Sequence, residues 1–147
     1  GGAITSASWD AESLDEAVGR DDLGAIIDAA REREMPVWLI EHFPVTLGLI
    51  ERFPDVRFVI PKMGAMNGGS AAVINALAGH AHICFDTSHG EIHESIVKRI
   101  GFRRIIFASG YPFNDPGDAL DQLCSMSLHD EEIGAMAGGN FLELIGD

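Results

Sequence analysis

In this 147-residue chain, residues able to do chemistry stand directly behind apolar segments: Ser6, Glu41-His42, Lys62, Asp86-Thr87-Ser88-His89 and Ser109-Gly110-Tyr111. A carboxylate beside a histidine, a lysine, and a second carboxylate near a histidine are the groups of a metal or acid–base site if they converge. Glu41 and His42 are the candidate metal ligands. Adjacent strand residues point to opposite faces, so the two share a role only if the chain turns there. Lys62 can act as a base, bind an anion or pair with Asp86, and the ion pair is the simplest of these readings. Asp86 and His89 are candidate proton carriers beside Lys62. Ser109 and Tyr111 are candidate substrate contacts. Thr87 and Ser88 read more simply as loop and helix caps.

The remaining histidines carry weaker signals. His80-Ala81-His82 has H-x-H metal spacing but precedes an apolar segment, which puts it at the opposite edge. His89 and His93 share a helix face only if a helix begins by His89, and Gly90 argues for a later start. His129 belongs to a helix start.

Five apolar segments must position these groups: Ala3–Thr5, Val37–Ile40, Val56–Ile60, Ile83–Phe85 and Ile105–Phe107. The last four are near-continuous, as in strands covered on both faces of a parallel sheet. Successive centres of the five segments lie 20 to 34 residues apart, the spacing of βα units and not of hairpins. Helical signals fill the gaps. Asp21-Asp22 precede the stripe Leu23, Ile26, Ile27, Ala30, which ends before Pro36. A short helix runs from near Thr46 to Phe53. Ser70 heads a helix through Val73, Ile74 and Leu77, and Ile92, Ile96, Val97 and Ile100 mark the next. Asp115-Pro116 is an N-cap followed by proline at the first helical position. Asp130-Glu131-Glu132 open the last helix, which Gly138-Gly139-Asn140 separates from a terminal turn, Phe141–Ile145. The expectation is an α/β fold of about five parallel βα repeats over residues 1–147, an open sheet or an arc of a (βα) barrel, with its chemistry at the carboxyl edge.

Composition excludes several classes of function. The chain is 46% hydrophobic and 22% charged, against disorder, and its net charge of −13 with lysine only at positions 62 and 98 argues against nucleic-acid binding. The charge is −6 over residues 1–34, +1 over 35–108 and −8 over 109–147, so the acid flanks the candidate site. No apolar run reaches the roughly 20 residues of a membrane span, and no signal-peptide pattern opens the chain. Cys84 and Cys124 read as reduced core thiols. The expected setting is cytoplasmic, with no membrane partner.

Four stretches together resemble the carboxy-terminal part of amidohydrolase-related proteins, the metal-dependent hydrolase and decarboxylase branch of TIM-barrel folds. They are Glu51–Ile60, Cys84–Ser88, Arg104–Phe113 and Gly138–Gly146. The resemblance covers almost the whole chain and implies strands four to eight of an eight-stranded barrel, a divalent metal such as zinc, and a small carboxylated or amide substrate. It also implies metal-site histidines behind the fifth and sixth strands and an aspartate behind the eighth. Those positions fall here on Ile40, Lys62 and Gly110. A shift of one or two residues lets Glu41 or His42 replace the fifth-strand ligand, but nothing near Gly110 supplies a carboxylate before Asp115.

Three readings follow. In the first, catalysis is lost and a binding module remains. In the second, Glu41, His42, Lys62, Asp86 and His89 form a rebuilt site for hydrolysis or carbon–carbon cleavage of a small carboxylated substrate. In the third, the arc is an assembly module, a homo-oligomer or one completed by another chain, because five βα units leave two sheet edges open.

Overall fold

The computed structural model describes residues 11–88 and 92–146, so the expected strand Ala3–Thr5, Ser6 and His89 lie outside the described residues. Among the described residues four parallel strands form one sheet in chain order: β1 (Val37–Trp38), β2 (Phe58–Ile60), β3 (Ile83–Asp86) and β4 (Ile105–Ile106). The register aligns Trp38 with Val59, Val59 with Cys84, and Asp86 with Ile106. Sequential parallel neighbours joined through helices are the arc expected from the βα spacing.

Alternation along the strands decides the two faces. Phe58, Ile60, Ile83, Phe85 and Ile105 turn outward and are buried with Ile27, Leu49, Val73, Leu77 and Val97 from the helices. Each such side chain contributes about 1.5–3 kcal/mol. The opposite face carries Val59, Cys84 and Ile106, which pack on Leu144. Among the described residues it therefore has a helical cover at one place only, and Trp38 and Ile40 at its other end are 42% and 58% exposed.

The helices are α1 (Ala11–Gly19), α2 (Asp21–Glu32), α3 (Phe43–Arg52), α4 (Ser70–Leu77), α5 (Glu94–Ile100), α6 (Pro116–Cys124), α7 (Asp130–Gly134) and α8 (Asn140–Ile145). The sequence reading of α2 is met: Asp21 and Asp22 occupy the first turn and Arg31 the last, matching the helix dipole. So is that of α6, where the Asp115 carboxylate accepts from the N–H groups of Gly117 at 2.7 Å and Asp118 at 3.3 Å.

Three expectations are corrected. An additional helix, α1, packs Leu14, Ala17 and Val18 on the core. The helix expected from near Thr46 begins at Phe43, because Pro44 suits a first turn where no backbone donor is needed. Gly138-Gly139-Asn140 does not break the last helix: Ala135–Gly139 form a π-helical turn that joins α7 to α8 without interruption. That turn is held because Met136 is fully buried and its carbonyl accepts from Phe107 N–H at 2.9 Å. Asn140 Nδ2 then donates to the carbonyls of Phe102 and Ile105, both at 2.7 Å, which seats α8 beneath β4.

Candidate functional site

The site grows out of the end of β2. Pro61 follows the strand, and the segment Pro61–Asn67 is a 3₁₀ turn whose residues Lys62, Met63 and Gly64 take left-handed φ values of 53°, 52° and 83°. For the two that are not glycine this conformation costs roughly 1–2 kcal/mol each. Gly64 is required, because a Cβ there would lie 2.6 Å from Val73 of α4. Further along, buried Asn67 donates through Nδ2 to the Leu39 carbonyl at 2.8 Å and to Thr46 Oγ1 at 3.1 Å, while Thr46 Oγ1 donates to the Glu41 carbonyl at 3.0 Å. This chain of bonds fixes the ends of β1 and β2 against each other. Asn67 Oδ1 is buried without a hydrogen-bond partner among the described residues.

Asp86, the last residue of β3, is the centre. Its Oδ1 accepts from the N–H groups of Lys62 and Ser88, each at 2.9 Å, and from the Ser88 hydroxyl. Its Oδ2 accepts from Trp38 Nε1 at 3.2 Å. Asp86 is 5% exposed, so these four donors replace the water its carboxylate loses. The expected Lys62–Asp86 ion pair is replaced by a backbone contact. Lys62 is half-buried, and its ammonium enters none of the ion pairs among the described residues.

The other candidates are placed as follows. Thr87 bridges strands where a loop or helix cap was expected: its Oγ1 donates to the Ala108 carbonyl and accepts from Ala108 N–H, both at 3.0 Å, pinning β3 to the chain behind β4. Ser109 Oγ accepts from Tyr111 N–H at 3.2 Å, and the Ser109 carbonyl accepts from Asn114 Nδ2 at 3.0 Å. Tyr111 is 75% exposed at the same edge. Glu41 is exposed and lines a cleft of about 750 Å³ along β1 with Arg20, Asp22, Ile40 and Trp38. His42 is the N-cap residue of α3. The structure thus joins Lys62, Asp86 and Ser88 in one hub, places Glu41 in a neighbouring cleft, and gives Trp38 a part in both. Sequence reasoning did not single out Trp38, Thr46 or Asn67. Trp38 entered that reading only as part of the apolar segment Val37–Ile40, and Thr46 only as the start of a helix.

At the opposite edge, His80 and His82 meet with ring centroids 5.8 Å apart, and His82 Nε2 is buried without a hydrogen-bond partner among the described residues. Burial, reinforced by His80, pushes the His82 imidazole below its ordinary pKa. Arg104 Nη1 donates to the His80 carbonyl at 2.7 Å, and its Nη2 reaches the carbonyls of Ala78 and Ile100 where α4 and α5 end. His129 caps α7, donating its N–H to the Glu132 carboxylate at 2.9 Å, as a helix start requires.

A metal at the strand ends was a natural expectation, and donor chemistry decides against it at the expected positions. Ile40 and Gly110 carry no donor atom, Lys62 ends in an ammonium, and the Asp86 oxygens are already engaged. Among the described residues no group of three or more His, Cys, Asp or Glu side chains is placed to hold an ion.

A sheet of sequential parallel strands with polar groups gathered at its carboxyl edge defines part of a (βα) barrel of the TIM type. The amidohydrolase family model matches residues 10–145, and the chain belongs to that family. No curated protein matches it in sequence. Among solved structures it is similar to amidohydrolase 2 from Bifidobacterium longum subsp. infantis, with TM-score 0.66 and 16% identity over 88% of this chain and 56% of that one. It is also similar to a dihydroxybenzoic acid decarboxylase from a Polaromonas species with bound manganese and 2-nitroresorcinol, with TM-score 0.65 and 12% identity over 86% and 54%. A TIM-barrel protein from Bordetella bronchiseptica gives TM-score 0.69 at 12% identity over 88% and 52%. The chain spans just over half the length of these structures. Among the described residues no helix is long and apolar enough to cross a membrane.

Proposed function

We propose that this chain is the carboxy-terminal half of an amidohydrolase-type barrel that binds a small carboxylated substrate at its strand ends, with Lys62 as the anion-binding group. The observation that carries the reading is the Lys62 ammonium, free of ion pairs among the described residues, on a backbone fixed by Asp86. A lysine in that state is a ready partner for a carboxylate. Ser109 and Tyr111 are the further substrate contacts. The amidohydrolase family and the decarboxylases among the similar structures support hydrolysis or loss of carbon dioxide as the reaction class, with His89 handling protons and no step assigned to a metal at Ile40, Lys62 and Gly110. The test is calorimetric titration of the protein with benzoate. Binding that Lys62→Met removes supports the reading, and equal affinity in that variant refutes it.

A second reading is favoured by the edges. Among the described residues β1 and β4 each pair on one side only, and Ile26, Trp38, Ile40, Tyr111 and Phe113 are exposed nearby. In that reading the chain is a non-catalytic half completed by another chain or by a second copy. Sedimentation at several concentrations separates the two, since a monomer that still binds benzoate refutes required association. Two free thiols, Cys84 and Cys124, support a reducing cytoplasm as the setting of either form.

A further inference from the structure

The left-handed turn at Lys62 has no local cause in the sequence, because lysine and methionine gain nothing from that conformation. Its causes are tertiary. Gly64 is pressed under Val73, Asn67 is tied to Leu39 and Thr46, and the Lys62 N–H is held by Asp86 Oδ1. Of these, only the Asp86 bond reaches Lys62 itself. The same carboxylate joins the ends of three strands: Trp38 of β1, Lys62 behind β2 and Ser88 behind β3. Rotating Lys62 to an ordinary φ would swing its Cα–Cβ direction and remove the N–H from Asp86. The buried oxygen would then lose one of its three donors.

We propose that Asp86 is a positioning residue for Lys62. Its Oδ1 holds the left-handed backbone and so fixes where the ammonium stands, and its Oδ2 ties that placement to the Trp38 indole. The inference rests on Lys62 as the anion-binding group, and it adds a dependence of that group on a carboxylate that does not touch the ligand. A carboxylate near an anion site would by charge alone weaken anion binding, so its removal should strengthen binding unless positioning dominates.

Two measurements on the full chain decide it: amide hydrogen exchange at Lys62 by NMR, and benzoate affinity by calorimetry. Asp86→Ala is expected to speed exchange at the Lys62 amide at least about tenfold while amides within β2 and β3 keep their rates. Asp86→Ala and Lys62→Met should each weaken benzoate binding about tenfold, and the double variant should be no weaker than either single one. Unchanged Lys62 exchange, tighter benzoate binding in Asp86→Ala, or losses that multiply in the double variant overturn the positioning role, while a loss in Lys62→Met alone leaves the anion-binding reading standing. Full affinity in Lys62→Met overturns both. Where Asp86→Ala does not fold, Trp38→Phe replaces it in the same cycle. Trp38→Phe should then weaken binding in the natural chain and cause no further loss in the Lys62→Met background, and multiplied losses again overturn the role.

Discussion

The Lys62 N–H donates to Asp86 Oδ1 at 2.9 Å across the ends of β2 and β3, while Lys62 itself stands at φ 53°. A residue with a Cβ is strained there and glycine is not. Lys62→Gly is therefore expected to be more stable than Lys62→Ala by about 1 kcal/mol, read as the difference in urea midpoints at constant slope. Equal stability of the two variants would show that the left-handed backbone is not retained in solution.

Arg104 serves two helix ends at once. Its guanidinium donates to the carbonyls of Ala78 and Ile100, at the ends of α4 and α5, and to those of His80 and Ile83. Carbonyls at helix C-termini carry partial negative charge, which stabilises a cation that has no carboxylate partner among the described residues. Arg104→Met keeps much of the stem and removes every donor. It should lower unfolding free energy by about 3 kcal/mol, a few charge-assisted bonds' worth, measured by urea denaturation.

Asn67 holds two strand ends together through a single amide group. Asn67→Ala removes the donor to Leu39 and Thr46 and opens a small void in a fully buried place. A loss of about 2–3 kcal/mol follows. Since the bonds reach only the carboxyl edge, exchange should accelerate first at amides near Glu41 and Thr46, and later at those of β3.

Added zinc or manganese is expected to leave the melting temperature unchanged, because Ile40 and Gly110 offer no donors and Asp86 is engaged. An ion bound a hundredfold above its Kd would add about 2.7 kcal/mol, which calorimetry resolves easily. A rise in melting temperature removed by Glu41→Ala or His42→Ala would restore those residues as ligands.

What the sequence made legible was whatever repeats or is local. Branched apolar runs at Val37, Val56, Ile83 and Ile105 mark strands because a covered parallel sheet has no polar face to alternate with. Asp115-Pro116 marks a helix start because the cap lies within three residues. The Trp38–Asp86 bond spans 48 positions and follows only from the register of three strands. The left-handed Lys62 had no marker either, as no residue type there asks for positive φ. Glycine was misleading at Gly138-Gly139, where a buried Met136 and a π turn outweigh the usual helix-breaking tendency.

His82 gives the chain an acid-sensitive point away from the site. Burial and the neighbouring His80 lower its pKa in the folded state, and Arg104 is bonded to the His80 backbone beside it. The unfolded imidazole keeps its ordinary value of about 6.5, so as pH falls through that value the unfolded chain takes up a proton that the folded chain does not. Stability contributed by the neutral ring is present above about pH 6.5 and is lost below it. His82→Phe keeps a ring and removes the titration. Between about pH 7.5 and 5.5, on either side of that ordinary value, urea midpoints should therefore fall further in the natural chain than in His82→Phe. Parallel decreases in the two would show that His82 is freely protonated when folded.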